Sequence, residues 1–217
     1  MEEPITLLDP ETVFEEFESL FVFKKQIQNQ NSPEAIKLKR FCAFLFFYAG
    51  QAEEKFRVFD VLRPDLSTAI AMEAHSLRMT ISWWAYLDVI VHVSNLFDKP
   101  TGSNEPASVF TLSTKLPMWG GKLGVTNIPS LQILGTDSRL QSLLNLRDKI
   151  VVHVEPKSYF EVLSDLAEQD DFFGYLINDI IIQYLEGVFG VFFQEPPQFR
   201  KDDGLVQKLE QLFNTLD

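Results

Sequence analysis

The sequence predicts an all-α protein, an antiparallel helical bundle with N- and C-terminal helical extensions. Three observations carry that expectation. Apolar side chains recur at helical spacing along nearly the whole chain. Prolines and capping residues stand at the ends of those stretches. No alternating apolar–polar run reads as a strand, and the β-branched runs Val89–Val93 and Ile150–Val154 each lie inside a helical pattern.

The first helix is expected over residues 9–28. Asp9 can cap it, Pro10 suits its first turn, and Glu11 favours the positive helix end. Val13, Phe14, Phe17, Leu20, Phe21 and Ile27 form its apolar stripe, and NQNSP breaks it. Ser32 then caps a second helix with Pro33 in its first turn, running to about Leu62. Its centre, FCAFLFFYAG, is apolar on all sides and is expected to be buried. Arg63-Pro64 ends it, because the residue before a proline avoids the α region. Residues 66–97 read as one long helix.

Residues 99–136 hold Pro100, Pro106, Pro117, Gly120, Gly121 and Gly124, and are expected to form a long loop pinned by Phe110, Leu112, Leu116, Met118 and Trp119. Within it, Gly120-Gly121-Lys122-Leu123-Gly124 follows no strand and lacks phosphate-loop spacing, so it reads as a hinge. Asp137 caps the next helix, DSRLQSLLNLRDKIVVH, which Glu155-Pro156 should stop near His153. Further helices are expected over about 159–168, over 172–193 and over 202–216. The domain division is an N-terminal helical extension (1–65), a bundle (66–198) and a C-terminal helix (199–217). Helices 69–97 and 171–193 are expected at its centre, their apolar faces being widest.

Composition removes several function classes. The 217 residues carry 19 Lys+Arg against 31 Asp+Glu, a net charge of -12, too few cations for a broad nucleic-acid-coating face. Cys42 is the one cysteine and His75, His92 and His153 the only histidines, so neither a disulfide framework nor a His/Cys metal cluster is expected. No metal and no cofactor are expected. The acidic opening MEEPITLLDPE does not read as a secretory leader. The most hydrophobic stretch, residues 171–193, is long enough to cross a bilayer. It contains Asp179, Gln183 and Glu186, and a charged group at the bilayer centre costs about 2.5–3.5 kcal/mol. Spacings of four and three put these residues on one side of a helix, which predicts a bundle helix with a polar seam rather than a membrane span. A cytoplasmic protein is expected.

Chemistry concentrates in Leu143–His153, LLNLRDKIVVH. Arg147 is followed at once by Asp148 and, six positions on, by His153. An arginine can neutralise an RNA phosphate and stabilise charge building on it. A histidine can move a proton to or from the ribose 2′-OH or the leaving oxygen, and Asp148 can orient either. Six residues of straight helix is about 9 Å of rise and about 240° of turn, so the pair shares a site only if the helix ends before His153. The plain alternative is an arginine paired with Glu155 or Asp148 beside a histidine bonded to a carbonyl. A second polar set, Asp88, His92, Asn95 and Lys99, forms one seam on an otherwise apolar helix, with Asp98 near its end. It reads either as a substrate-binding wall with Lys149 or as an interface seam in which Asp88 accepts from His92.

The Arg–polar–spacer–His pattern in LRDKIVVH (146–153) resembles the mark of the HEPN superfamily. WAYLDVIVHVSNLFDKP (84–100) is similar to the first core helix of its abortive-infection branch, with a Leu/Phe-Asp ending. The resemblance covers about residues 70–195. It implies an all-α homodimer in which Arg147 and His153 are the catalytic pair of a metal-independent endoribonuclease, with Asp148 as polar helper. RNA is the implied substrate, an antitoxin or other regulatory protein the implied partner, and toxin–antitoxin or antiphage defence the implied setting. Some HEPN toxins carry a Tyr two residues after the His that a partner enzyme modifies; Glu155 stands there in this chain. Other HEPN domains are non-catalytic dimerisation or partner-binding modules, which is the alternative function.

Overall fold

The computed structural model describes residues 10–62, 72–99, 101, 105–131, 138–152 and 170–199, with positions 204, 207, 208 and 211 beyond. The fold is all-α. The helices are α1 (Pro10–Ser19), α2 (Pro33–Leu62), α3 (Met72–Leu96), α4 (Val109–Lys122), α5 (Ser138–Val152), α6 (Asp170–Gly174), a π-helical segment (Tyr175–Ile182) and α7 (Gln183–Phe192). The expected helix over 159–168 and most of that over 202–216 fall outside the described residues.

α2 forms where its local signals put it. The Ser32 hydroxyl accepts from the Ala35 N–H at 3.2 Å, satisfying one of the donors a helix start leaves open. Its buried face is a heptad seam: Ala35, Leu38, Cys42, Leu45, Ala49 and Ala52 alternate steps of three and four, and all are fully buried. α3 answers with Tyr86, Val89, Val93 and Leu96, together with Ile90 and Phe97. Among the described elements, this α2–α3 pair has the most extensive packing. FCAFLFFYAG is not buried all round. Cys42, Ala43, Leu45 and Ala49 are buried, whereas Phe41, Phe44, Phe46, Phe47 and Tyr48 are only partly so. Those rings reach other parts of the chain, tilted or edge-on: Phe46 and Phe47 meet Phe17, Phe46 meets Phe199, and Phe41 meets Trp119.

Two expectations are corrected. The first helix stops at Ser19 rather than running to residue 28. Beyond it the burial alternates, Phe21 inside, Val22 out, Phe23 inside, a period of two that extended backbone satisfies and a helix does not. Phe23 makes an antiparallel bridge with Phe193, Lys24 N–H donates to Phe192 O at 2.9 Å, and Gln194 N–H donates to Val22 O at 2.8 Å. The rings follow: Phe21 meets Phe189 and Phe193 edge-on at 5.0 Å, and Phe23 stacks on Phe193.

The second correction is the loop 99–136, which contains α4. Ser108 caps it, its hydroxyl accepting from Thr111 N–H at 3.1 Å. Val109, Leu112, Leu116 and Trp119 make a buried stripe at helical spacing, and burial of that face outweighs the breakers Pro117, Gly120 and Gly121 inside the helix. The glycine-rich segment is the end of this helix. Gly124 takes φ +75, Val125 N–H donates to Gly120 O at 2.8 Å and Gly124 N–H to Gly121 O at 3.3 Å, the paired bonds of a Schellman stop.

The C-terminal hydrophobic stretch packs on α2. Its buried residues recur as pairs four apart, Phe172-Phe173, Leu176-Ile177, Ile180-Ile181, Tyr184-Leu185, Val188-Phe189 and Phe192-Phe193, with Ile182 buried beside the third. That repeat is four residues. In a straight α-helix it drifts about 40° per step and leaves the core within a few turns. A π-helix, with i→i+5 bonding and roughly 4.4 residues per turn, drifts the other way. The π segment thus keeps all six pairs on one face. Asp179, Gln183 and Glu186 are all exposed, which is the seam their spacing predicted. Phe172–Phe192 remains long and apolar enough to cross a membrane by length and composition, and 56% of its apolar 18-residue window is buried inside the protein.

Candidate functional site

Arg147 lies on α5, which packs against α3. Its Nη1 donates to Asp98 Oδ1, two residues past the end of α3. Both side chains are partly shielded, 22% and 33% exposed, so the attraction is stronger than for a fully solvated pair. Asp98 is itself held. Its N–H donates to Asn95 O at 3.2 Å, and its carbonyl accepts from the Ser108 hydroxyl that caps α4. α3 has no basic residue in its last turn, and the Arg147 guanidinium supplies positive charge close to that carbonyl-rich end. Lys99 reaches over the Phe110 ring, 5.5 Å from its centroid, tying the same corner to α4.

Asp148 and Lys149 follow Arg147 on α5, their side chains outside the described residues, as is His153. α5 is described as far as Val152, and the helix ending that the pair needs before His153 falls outside the described residues.

The seam on α3 resolves differently. Asp88 and His92 face α2. Lys55 Nζ lies 3.0 Å from Asp88 Oδ2 and 3.3 Å from His92 Nε2, while His92 Nδ1 lies 2.8 Å from Asp88 O. One tautomer satisfies all three contacts: Nδ1–H donates to the Asp88 carbonyl, and Nε2 accepts from the Lys55 ammonium. The Tyr48 ring stacks on the imidazole at 6.0 Å. Burial holds His92 below the usual histidine range, and the Lys55 charge adds to that. The Asp88–His92 contact uses the backbone carbonyl, not the carboxylate, which belongs to Lys55. So Asp88 and His92 meet α2, whereas Arg147 meets Asp98. Asn95 sits half-buried between the two corners.

Sequence reasoning missed Lys55. No spacing rule singles out one lysine in GQAEEKF, because its partners lie on another helix. Cys42 is fully buried, its thiol pushed up by burial, and has no exposed reactive role. Among the described residues, no group of three or more His, Cys, Asp or Glu side chains is placed to hold a metal ion. Comparison with family models, with characterised proteins and with solved structures gave no match.

Proposed function

We propose that this chain is a HEPN-like, metal-independent endoribonuclease acting as a cytoplasmic homodimer, in toxin–antitoxin or antiphage defence. The supporting observation is the Asp98–Arg147 pair. It joins the two segments whose residues carry the resemblance, the Leu-Phe-Asp ending of α3 and the Arg-Asp start of the Arg–polar–spacer–His run. A carboxylate on one edge of a guanidinium fixes the plane of a group with five donors, the geometry phosphate recognition uses.

In the proposed reaction Arg147 neutralises the scissile phosphate. His153, aided by Asp148, moves the proton between the 2′-OH and the 5′ leaving oxygen. The 2′ oxygen attacks its own phosphorus, the P–O5′ bond breaks, and the products are a 2′,3′-cyclic phosphate and a 5′-hydroxyl. Asp88, His92, Asn95 and Lys149 are proposed along the path of the substrate strand.

The test is cleavage of single-stranded RNA by purified protein in EDTA. Arg147→Ala and His153→Ala should each abolish it, DNA should be spared, and the 3′ ends should be cyclic. Metal-dependent activity, or full activity in His153→Ala, would refute the mechanism. One observation favours the alternative, a non-catalytic dimerisation or partner-binding module: the net charge of -12, with Arg147 already facing an acid. That reading expects no cleavage of any RNA and an unchanged dimer in both variants.

A further inference from the structure

The polar seam of the C-terminal helix lines a pocket that the proposed nuclease site does not use. Its volume is about 390 Å³, within the range of small-molecule sites. The floor is the π segment and the first turn of α7: Tyr175, Asp179 and Gln183, with Ile180 and Tyr184 beside them. The wall is Pro129, Ser130 and Leu131, from the chain that leaves α4 and crosses the helix. Pro129 lies over Gly187, where a Cβ would sit 3.6 Å from its ring carbons, so the crossing strand is seated closely on the helix.

The floor owes its shape to the π segment. Tyr175, Asp179 and Gln183 are spaced four apart, like the buried pairs behind them. In a straight α-helix they would fan out by about 80° from first to last. The wider π winding brings them back into one row under the wall, and π segments of this kind recur at functional sites.

The chemistry of that row selects a ligand. Among the described residues lining the pocket, Asp179 is the only formally charged one. The Tyr175 ring stands one turn away and is 37% exposed. Ser130 and Gln183 can hydrogen-bond a polar edge, and Leu131, Ile180 and Pro129 offer an apolar surface. A carboxylate beside an aromatic face suits a cation, and the apolar wall suits a hydrocarbon or aromatic body attached to it.

We propose that this pocket binds a small organic monocation, an amine or quaternary ammonium carrying an apolar or aromatic body. Asp179 pairs with the cationic nitrogen, Tyr175 faces it, and the Pro129–Leu131 segment covers the body.

The test is calorimetric titration of the full chain with phenethylamine and with benzyltrimethylammonium. Phenethyl alcohol serves as the neutral counterpart and phenylacetate as the anionic one. The two cations should bind and the anion should not, with the alcohol weaker by about three- to tenfold, as expected for a partly exposed ion pair plus a cation–π contact. Asp179→Asn should weaken the cations by a similar factor and leave the alcohol unchanged. Tyr175→Leu should weaken benzyltrimethylammonium by about two- to fivefold. Both side chains are exposed, and circular dichroism checks that the helix survives their replacement. Gln183→Glu, adding a second carboxylate to the row, should tighten cation binding. Equal affinity for amine and alcohol, cation binding unmoved in Asp179→Asn and Gln183→Glu, or no heat from either cation at millimolar concentration would each overturn the assignment.

Discussion

Gly120 and Gly121 are neighbours in the last turn of α4, and the structure predicts that alanine at the two positions acts with opposite sign. At Gly121 an added Cβ meets nothing within 4 Å. Gly121→Ala gains only the lower backbone entropy of alanine in the unfolded chain, worth about 0.5–1 kcal/mol of stability. At Gly120 the same Cβ would lie 2.4 Å from Ile128 Cδ1, 3.2 Å from Ile128 Cγ1 and 3.3 Å from Val125 O. The entropic gain is equal, but overpacking of a buried contact costs about 1–3 kcal/mol. Because Val125 N–H bonds Gly120 O, the backbone cannot back away without loosening the helix stop. Gly120→Ala should therefore lose up to about 2 kcal/mol, leaving the two variants about 1–3 kcal/mol apart, the overpacking cost itself. Urea unfolding followed by circular dichroism at 222 nm reads both. Ile128→Val removes the Cδ1 that meets the new Cβ, so the double variant with Gly120→Ala should recover about 1 kcal/mol relative to additivity. If Gly120→Ala and Gly121→Ala fall within about 0.5 kcal/mol of each other, or Ile128→Val adds independently, the close approach of residues 125–128 to α4 is wrong.

Phe189 is fully buried and meets the rings of Phe21, Phe46, Phe193 and Phe199; Phe189→Ala should cost about 3–5 kcal/mol by chemical denaturation, and a loss under 1 kcal/mol would deny this cluster its central place. His92 has its folded-state pKa held below its ordinary 6.5 by burial and by Lys55, so the folded state binds fewer protons than the unfolded one between those values. Stability from this residue is therefore present above about 6.5 and falls as pH drops through that window; His92→Gln should flatten the pH dependence there, and an unchanged slope would count against the Lys55–His92 contact. Asp98→Asn removes the charge facing Arg147 and should cost about 1 kcal/mol, a cost that should vanish in an Arg147→Met background if the pair is the cause. Light scattering should give twice 25.0 kDa at micromolar concentration; a stable monomer argues against a composite dimer site.

Where a feature depends on neighbours in sequence, the sequence alone determined it. α2 begins at Pro33 under a Ser32 cap, because capping bonds act within four residues. The exposed row of Asp179, Gln183 and Glu186 likewise follows from spacing. The helix over 172–193 was legible as well, but its π winding was not: Tyr175, Ile182 and Val191 blur the four-residue repeat in the sequence, and the paired pattern emerges only from which residues are buried. Tertiary structure decided the rest. α4 forms across Pro117, Gly120 and Gly121 because burial of Leu112, Leu116 and Trp119 outweighs local helix-breaking preferences. The chain leaves helix at Ser19 because Phe23 finds a backbone partner in Phe193, which lies far away in sequence. Of the candidate site, the sequence supplied Arg147, Asp148 and His153 from one short run, whereas Asp98 as the acid facing Arg147 emerges only when α5 packs against the end of α3. Lys55 reaches Asp88 and His92 in the same way, across the α2–α3 interface. A hydrogen bond within one turn is written in residue spacing; an ion pair between helices depends on how their faces pack, and no local pattern encodes that.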